Sequence, residues 1–287
     1  MTQLESILSD LGRLPEAPVR AACQGVECSY SQLACETAFI QPSITFYPAF
    51  EDVFTAVAGG EAEFGVVPIE NTLAGSVTDN YDLLLRHELF IIGSVTVPVA
   101  HCLLGVPGAK KEDLRHIYSH PQALHQCSDF FSANRQIEAH SYSNTAASAQ
   151  YVADLADPAC AAIGSRACAG RYGLCILEEG LQNRKDNFTR FVIIARQPIQ
   201  HPLCSRISLV IRVAHRAGSL YSALSRFAQQ GINLLKLESR PIPDSPFEFL
   251  FYWDFDGSVL DGKVQQVMEE LREDVIFLRY LGNYPEA

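Results

Sequence analysis

The feature that most constrains this chain is a change of rhythm close to residue 197. Before it, short apolar runs alternate with amphipathic stretches. Val19–Cys23, Thr45–Phe46, Glu63–Val67, Phe90–Val97, Ile117–Tyr118, Ala161–Ile163 and Phe191–Ala195 read as strands. Ser31–Phe39, Phe50–Ala58, Val77–Arg86, Ala123–Phe131, Thr145–Leu155 and Ser165–Tyr172 carry helical spacing between them. Strands alternating with helices predict a doubly wound α/β region over residues 19–196. Such sheets hold their ligands in the crevice beyond the carboxyl ends of the strands.

Gln197–Cys204 has two prolines and no periodicity, so 197–204 reads as a linker. Beyond it, Arg206–Val213 is a strand, and Leu220, Leu224, Phe227 and Ala228 line one face of a helix that stops at Gly231. Ile232–Leu237 and Phe247–Phe255 read as strands, Leu260 to Leu271 as a helix, and Val275–Leu281 as a last strand. That order, βαββαβ, predicts a ferredoxin-like unit over residues 205–287.

Composition narrows the function classes. With 287 residues there is room for two cored domains, and 48% hydrophobic against 19% charged residues excludes a disordered chain. A net charge of −11, with no basic stripe, disfavours nucleic-acid and acidic-membrane partners. No apolar run approaches the ~20 residues of a spanning helix. The nine cysteines form no CxxC pair and sit mostly in apolar surroundings, which predicts free thiols, and Met1 to Glu16 lack the basic start and apolar stretch of a secretory signal, so a cytoplasmic protein is expected. Residues 1–18 read as a tail, a linker or a short helix.

Known phosphate-binding and nucleophile-elbow motifs are missing. His116, His120, His125 and Cys127 invite a zinc reading, but Pro121 should break any helix that would stack His116 over His120, so no metal is expected there. What remains is polar loops that follow strands and open helices. Ser76 with Asp79 is a capping-box pattern, and Ser119-His120-Pro121-Gln122 and Ser143-Asn144-Thr145 are further helix starts. Each is explained by capping alone; several converging in one crevice would form a carboxylate site. Asp186-Asn187-Phe188-Thr189-Arg190-Phe191 sets a hydroxyl beside a guanidinium at the mouth of an apolar strand. It is either a polar loop or a proton donor next to a carboxylate-pairing arginine.

Together these segments resemble the prephenate dehydratase family over about residues 19–283. The resemblance is carried by Gly25-Val26-Glu27 with Tyr30-Ser31, Gly65-Val66-Val67-Pro68-Ile69-Glu70-Asn71 with Gly75-Ser76-Val77, and His101-Cys102-Leu103-Leu104. Ser119-His120-Pro121-Gln122-Ala123-Leu124-His125-Gln126-Cys127 and Asn187-Phe188-Thr189-Arg190-Phe191 complete it. The βαββαβ unit is similar to an ACT domain.

The resemblance implies prephenate as substrate, phenylpyruvate as product, no cofactor, and loss of carbon dioxide and water driven by aromatisation. It implies a two-lobed, solute-binding-protein-like catalytic region, with lobes at about 19–96 plus 187–196 and at 97–186. Thr189 is then the proton donor, Arg190 pairs a carboxylate or supports the loop, and Phe191 shapes the wall. Glu70, Asn71, Ser119 and Gln126 fill other active-site positions, Glu70 facing Ser119 and Gln126 across the cleft. Ser76 and Thr145, from the helix starts, would add substrate contacts. Gly218, Ser219, Leu220 and Tyr221, with Glu238, Ser239, Arg240 and Pro241, would bind phenylalanine, whereas in isolation they read as a loop glycine and a surface ion pair. A homodimer or homotetramer is expected. Competing readings are a binding protein of the same fold, a regulatory protein, and a dehydratase acting on arogenate.

Overall fold

A computed structural model describes residues 1–14, 18–242 and 245–286. Residues 15–17 of the expected N-terminal tail, and 243–244 and 287 of the expected C-terminal unit, lie outside the described residues.

The chain starts with a helix, α1 (Gln3–Asp10), closed by a reciprocal capping box between Thr2 and Glu5. Its Leu4, Ile7 and Leu8 are buried in the first core, so this segment is docked and not frayed. Then come β1 (Arg20–Gln24), α2 (Tyr30–Ala38), β2 (Ser43–Tyr47), α3 (Phe50–Gly59), β3 (Phe64–Asn71), β4 (Gly75–Ser76), α4 (Thr78–Arg86) and β5 (Phe90–Pro98). The chain crosses into a second body with β6 (Cys102–Gly105), β7 (His116–Ser119), α5 (Pro121–Gln126), α6 (Ser128–Ala133), β8 (Glu138–Ser141), α7 (Thr145–Leu155), β9 (Cys160–Gly164), α8 (Arg166–Tyr172) and β10 (Cys175–Glu179). It returns through β11 (Phe188–Ala195), which inserts antiparallel between β3 and β5.

The result is two sheets, ordered β2-β1-β3-β11-β5, with β4 on β3, and β10-β6-β9-β7-β8. The chain crosses between them twice, at residues 99–101 and 180–187. This is the two-lobed α/β architecture expected. In the second sheet β7, β8 and β9 are parallel, so all three end at one edge. The helices that follow them, α5, α7 and α8, therefore begin at that same edge.

The C-terminal unit follows as β12 (Arg206–Val213), α9 (Ser219–Gln229), β13 (Leu234–Ile242), β14 (Ser245–Asp256), α10 (Gly262–Asp274) and β15 (Val275–Tyr284), in a sheet ordered β13-β14-β12-β15. One face of that sheet packs under α9 and α10 around Trp253, Phe227 and Phe255. The other face docks on the first sheet, with Val210, Tyr252, Leu281 and Tyr284 sharing a core with Ile69, Tyr81, Ile91 and Val192. Contact is close enough that a Cβ on Gly282 would fall 2.0 Å from the Ile91 carbonyl oxygen. The segment 197–204 is no free tether, because Ile199 and Cys204 are buried in the first core.

Four strands escaped the hydrophobic pattern, the two-residue β4 among them. β8 (Glu-Ala-His-Ser) and β10 are edge strands with mostly exposed or half-buried residues, and β6 is too short to show a period. The single helix expected over 123–131 is two, because Cys127 leaves helical geometry with ψ 23°. The strand expected at 232–237 begins and ends later, at Leu234 and Ile242. Its far half alternates the half-buried charges Glu238 and Arg240 with the exposed Ser239 and Pro241, and carries no apolar signal before Ile242.

Candidate active site

The carboxyl end of β3 and the start of β11 lie side by side, with Asn71 opposite Thr189 and Glu70 opposite Arg190. A bulge separates this pairing from the rest, since Pro68 faces Phe191 and leaves Ile69 as the extra residue. Without it, strict alternation would put Glu70 on the same face as Val66 and Pro68. The bulge reverses the sense, so that Glu70 and Arg190 turn toward the C-terminal unit while Asn71 and Thr189 turn together to the opposite face.

Asn71 is buried, and its orientation follows from its partners. Oδ1 accepts from the backbone N–H groups of Leu73 (3.0 Å) and Ala74 (2.9 Å), so Nδ2 must face the other way. There Nδ2 donates to Asn187 Oδ1 (2.8 Å), the Phe188 carbonyl (3.0 Å) and Thr189 Oγ1 (2.9 Å). Asn187 is thereby oriented as well, and its Nδ2 donates to Gln126 Oε1 at 3.0 Å. Gln126 Oε1 also lies 2.8 Å from His101 Nε2, which must then carry the ring proton. Burial holds the His101 imidazolium pKa below its ordinary value, an effect only partly offset by the Gln126 contact, so the ring is neutral near pH 7. Its other nitrogen, Nδ1, is buried without a partner among the described residues.

The relay thus runs from His101 to Thr189, with donor and acceptor assigned at each contact. Thr189 Oγ1 accepts from Asn71, which leaves the hydroxyl proton of Thr189 outside the relay and free to be donated. The relay also ties the two lobes. His101 stands on one crossing segment and Asn187 on the other, and Gln126 of α5 bonds both. Its backbone carbonyl accepts from Asn183 N at 2.8 Å. Further lobe-to-lobe contacts join Ser165 Oγ to the Cys28 carbonyl (2.9 Å) and Tyr30 Oη to the Ala100 carbonyl of the crossing (2.6 Å).

Of the residues singled out from sequence, Asn71, Gln126 and Thr189 come together in this relay. Glu70 does not face Ser119 and Gln126. Its carboxylate holds Lys236 Nζ of β13 at 2.8 Å and Arg190 at 2.7 Å. Burial alone would raise its pKa. The Lys236 ammonium, and then the Arg190 and Arg206 guanidiniums, outweigh that and keep it below the ordinary carboxylate range. Glu70 is therefore ionised. Arg190 is likewise engaged away from the relay, by Glu70, by Asp254 at 3.4 Å and by Glu286 at 3.7 Å. Phe191 is buried in the first core and shapes no open wall.

Ser119 is fully buried at the end of β7, and its proton goes to the Ile163 carbonyl at 2.7 Å. His120, not Ser119, caps α5, and Asn144 caps α7 with Thr145 as its first residue. Ser76 caps nothing, because α4 begins two residues later behind Val77. Its hydroxyl instead donates to Glu238 at 2.7 Å and accepts from Lys236 at 2.8 Å. Sequence reading missed Asn187, His101 and Lys236. The first two stood in segments that had drawn notice, but a lysine inside the strand expected at 232–237 read as an ordinary strand residue and gave no signal.

In the C-terminal unit a cavity of about 380 Å³ opens beside the start of α9, lined by Val213–Ala217, Leu220, Glu248, Phe249 and Phe251. Gly218 precedes it in the left-handed region at φ +86°, and the buried Ser219 Oγ has no partner among the described residues. Tyr221 points to solvent. Glu238 and Arg240 are not at this cavity. They turn toward the first lobe, Arg240 donating to Asp82 at 3.1 Å, while Ser239 and Pro241 are exposed.

The fold and this site define a two-lobed α/β enzyme with a relay-oriented hydroxyl at the lobe crossing and a ferredoxin-like unit docked behind it. The prephenate dehydratase family model matches residues 21–199. Arogenate dehydratase 1 of Petunia hybrida is 41% identical over 97% of this chain and 70% of its own length. Arogenate dehydratase/prephenate dehydratase 1 of Arabidopsis thaliana, a chloroplastic protein, is also 41% identical, over 94% and 73%. Among solved structures, prephenate dehydratase of Arthrobacter aurescens in complex with L-Phe superposes with a TM-score of 0.85 at 27% identity, covering 93% of this chain and 90% of that one. GqqA, described as a quorum-quenching acylase, gives 0.86 at 32% identity over 93% and 98%. The chain belongs to the prephenate dehydratase family and is a lyase, a decarboxylating dehydratase of aromatic amino-acid biosynthesis.

Proposed function

We propose that the chain converts prephenate to phenylpyruvate, with Thr189 as general acid to the departing hydroxyl. The observation that carries this is the donation from Asn71 Nδ2 to Thr189 Oγ1, which leaves the threonine proton outside the relay and free to be donated. Protonation of the ring hydroxyl makes water the leaving group. The electron pair of the breaking carbon–carboxylate bond then enters the ring as carbon dioxide departs. Because the product is aromatic, positioning and one proton suffice, and a single general acid contributes about 10²–10⁴-fold. The helix starts of α5, α7 and α8 at one sheet edge, Thr145 among them, supply N–H groups for the substrate carboxylates. Both relay contacts of Gln126 use Oε1, so its Nε2 donor is available to the same end.

The test is phenylpyruvate formation by wild type and Thr189→Ala on prephenate, with arogenate run in parallel. A fall of about 10²-fold or more in kcat, with folding intact, fits the assigned role; near-normal turnover removes it. Arogenate is the second reading, favoured by the names of the 41%-identical relatives. A higher kcat/KM on arogenate would establish it.

The βαββαβ unit is proposed as an ACT-type phenylalanine sensor. A cavity with apolar walls (Val213, Leu220, Phe249, Phe251) and charged groups (Arg216, Glu248) suits an amino acid with an apolar side chain. The exposed Leu235, Leu237, Phe247 and Phe249 of β13 and β14, with Tyr221, favour a homodimer or homotetramer built through this unit. The nine free cysteines fit a reducing compartment such as the cytoplasm.

A further inference from the structure

The second sheet ends in an exposed edge strand, β8, and a cluster unrelated to the relay comes together there. β7 and β8 run parallel with His116 opposite Glu138 and Tyr118 opposite His140. The period of two therefore puts His116, Glu138 and His140 on one face. His116 Nδ1 and His140 Nε2 are 3.0 Å apart. Glu138 Oε2 lies 3.6 Å from the first and 3.7 Å from the second.

A tetrahedral zinc ion with nitrogen and oxygen bonds near 2.0–2.2 Å keeps its ligands about 3.3–3.5 Å apart. The three atoms already form a triangle within a few tenths of an ångström of that size. A plain imidazole–imidazole hydrogen bond explains the 3.0 Å separation alone. One proton shared between the two nitrogens leaves no donor at those atoms for the carboxylate, yet the carboxylate stands almost equidistant from both. The His140 ring is also braced beforehand. It stacks on Tyr118 with centroids 4.7 Å apart and 19° between planes, and Tyr118 is held edge-on by Tyr151 at 5.0 Å. Ligands on strands with locked rings are preorganised for a metal.

We propose that His116 Nδ1, His140 Nε2 and a Glu138 carboxylate oxygen form a surface site for a divalent transition-metal ion of the zinc class, its remaining position open to solvent. Imidazole donors select such ions over magnesium or calcium, which take oxygen ligands. The ion would pin the edge strand β8 to β7, the strand that ends in Ser119. It would sit roughly 10 Å back along β7 from that residue, so it stabilises the lobe and takes no part in the dehydratase chemistry.

The test uses the untagged full chain, stripped with a chelator, in zinc equilibrium dialysis and cobalt absorption, with thermal unfolding alongside. One zinc bound at micromolar affinity, with a rise in Tm, is expected. His140→Ala should weaken binding about tenfold or more and abolish the rise, since even partners outside the ligand shell are worth 10–100-fold. Glu138→Gln, which leaves the folded lobe undisturbed, should give a smaller loss and shift the cobalt spectrum. No binding in the micromolar range would overturn the proposal. So would one-equivalent binding that survives both His116→Ala and His140→Ala, because the ion would then be held elsewhere, for instance by the exposed Cys175.

Discussion

Asn71 has two amide protons and three acceptors around its nitrogen, so the direction of its amide decides whether Thr189 is a donor or an acceptor. Two backbone N–H groups at its oxygen, those of Leu73 and Ala74, make that choice. Asn71→Asp keeps the shape and reverses the logic. A carboxylate oxygen would face Asn187 Oδ1 and the Phe188 carbonyl, and the Thr189 proton would turn inward to it. Turnover should drop about as far as with loss of the acid itself, 10²-fold or more, while Thr189→Ser keeps most of it. Steady-state kcat on the three variants checks the order, and an unimpaired Asn71→Asp enzyme would contradict the relay. His101 gives the relay a pH limit. Its neutral form is favoured by burial, so its contribution to stability is complete above about pH 6.5 and is lost as pH falls toward its lower folded pKa. His101→Gln should flatten that decline in thermal unfolding followed from pH 7.5 to 5.

At the level of elements, the bulge at Ile69 explains what was legible in the sequence and what was not. The apolar alternations of β3, β5 and β11 predicted the first sheet, and the βαββαβ rhythm predicted the C-terminal unit. The motif at Glu70-Asn71 was visible too. Its facing was not, since one unpaired residue in a strand reverses every side chain beyond it and leaves no mark in composition. Glu70 therefore read as a cleft group although it is an interface group, paired across the strands with Arg190. The docking of the two sheets was equally hidden, because it depends on which face of β12 and β15 is left over once α9 and α10 are covered. Gly282 is a point of close approach. In Gly282→Ala the new methyl meets the Ile91 carbonyl at 2.0 Å, and β15 must move off β5. A loss of about 1–3 kcal/mol is expected from such overpacking, read as a lower midpoint in urea unfolding. An unchanged midpoint would show that the sheets dock with slack.

For the whole molecule, the link between the C-terminal unit and the relay is Lys236. It lies on β13, its ammonium holds Glu70 and Ser76 on the ends of β3 and β4, and Glu70 is the chain neighbour of Asn71. A ligand that binds two positions of β13 unequally will therefore bias the position of Asn71, and by linkage the substrate will bias the ligand. The pH dependence of this clamp follows from Glu70. Its folded pKa lies below the ordinary 4.5, so the clamp is intact above that pH and is lost as pH falls through the lower value. Lys236→Met removes the ammonium and keeps the stem, leaving Glu70 paired with Arg190 and the relay untouched. Basal turnover should stay within a few-fold of wild type. With the C-terminal unit as the proposed phenylalanine sensor, phenylalanine should still bind, as calorimetry would show, but its effect on kcat/KM should shrink from the 5–150-fold typical of such coupling toward unity. If Lys236→Met responds to phenylalanine as wild type does, the signal reaches Asn71 by another path, and the Arg190–Asp254–Arg206 pairs between β11 and the C-terminal sheet become the route to break next.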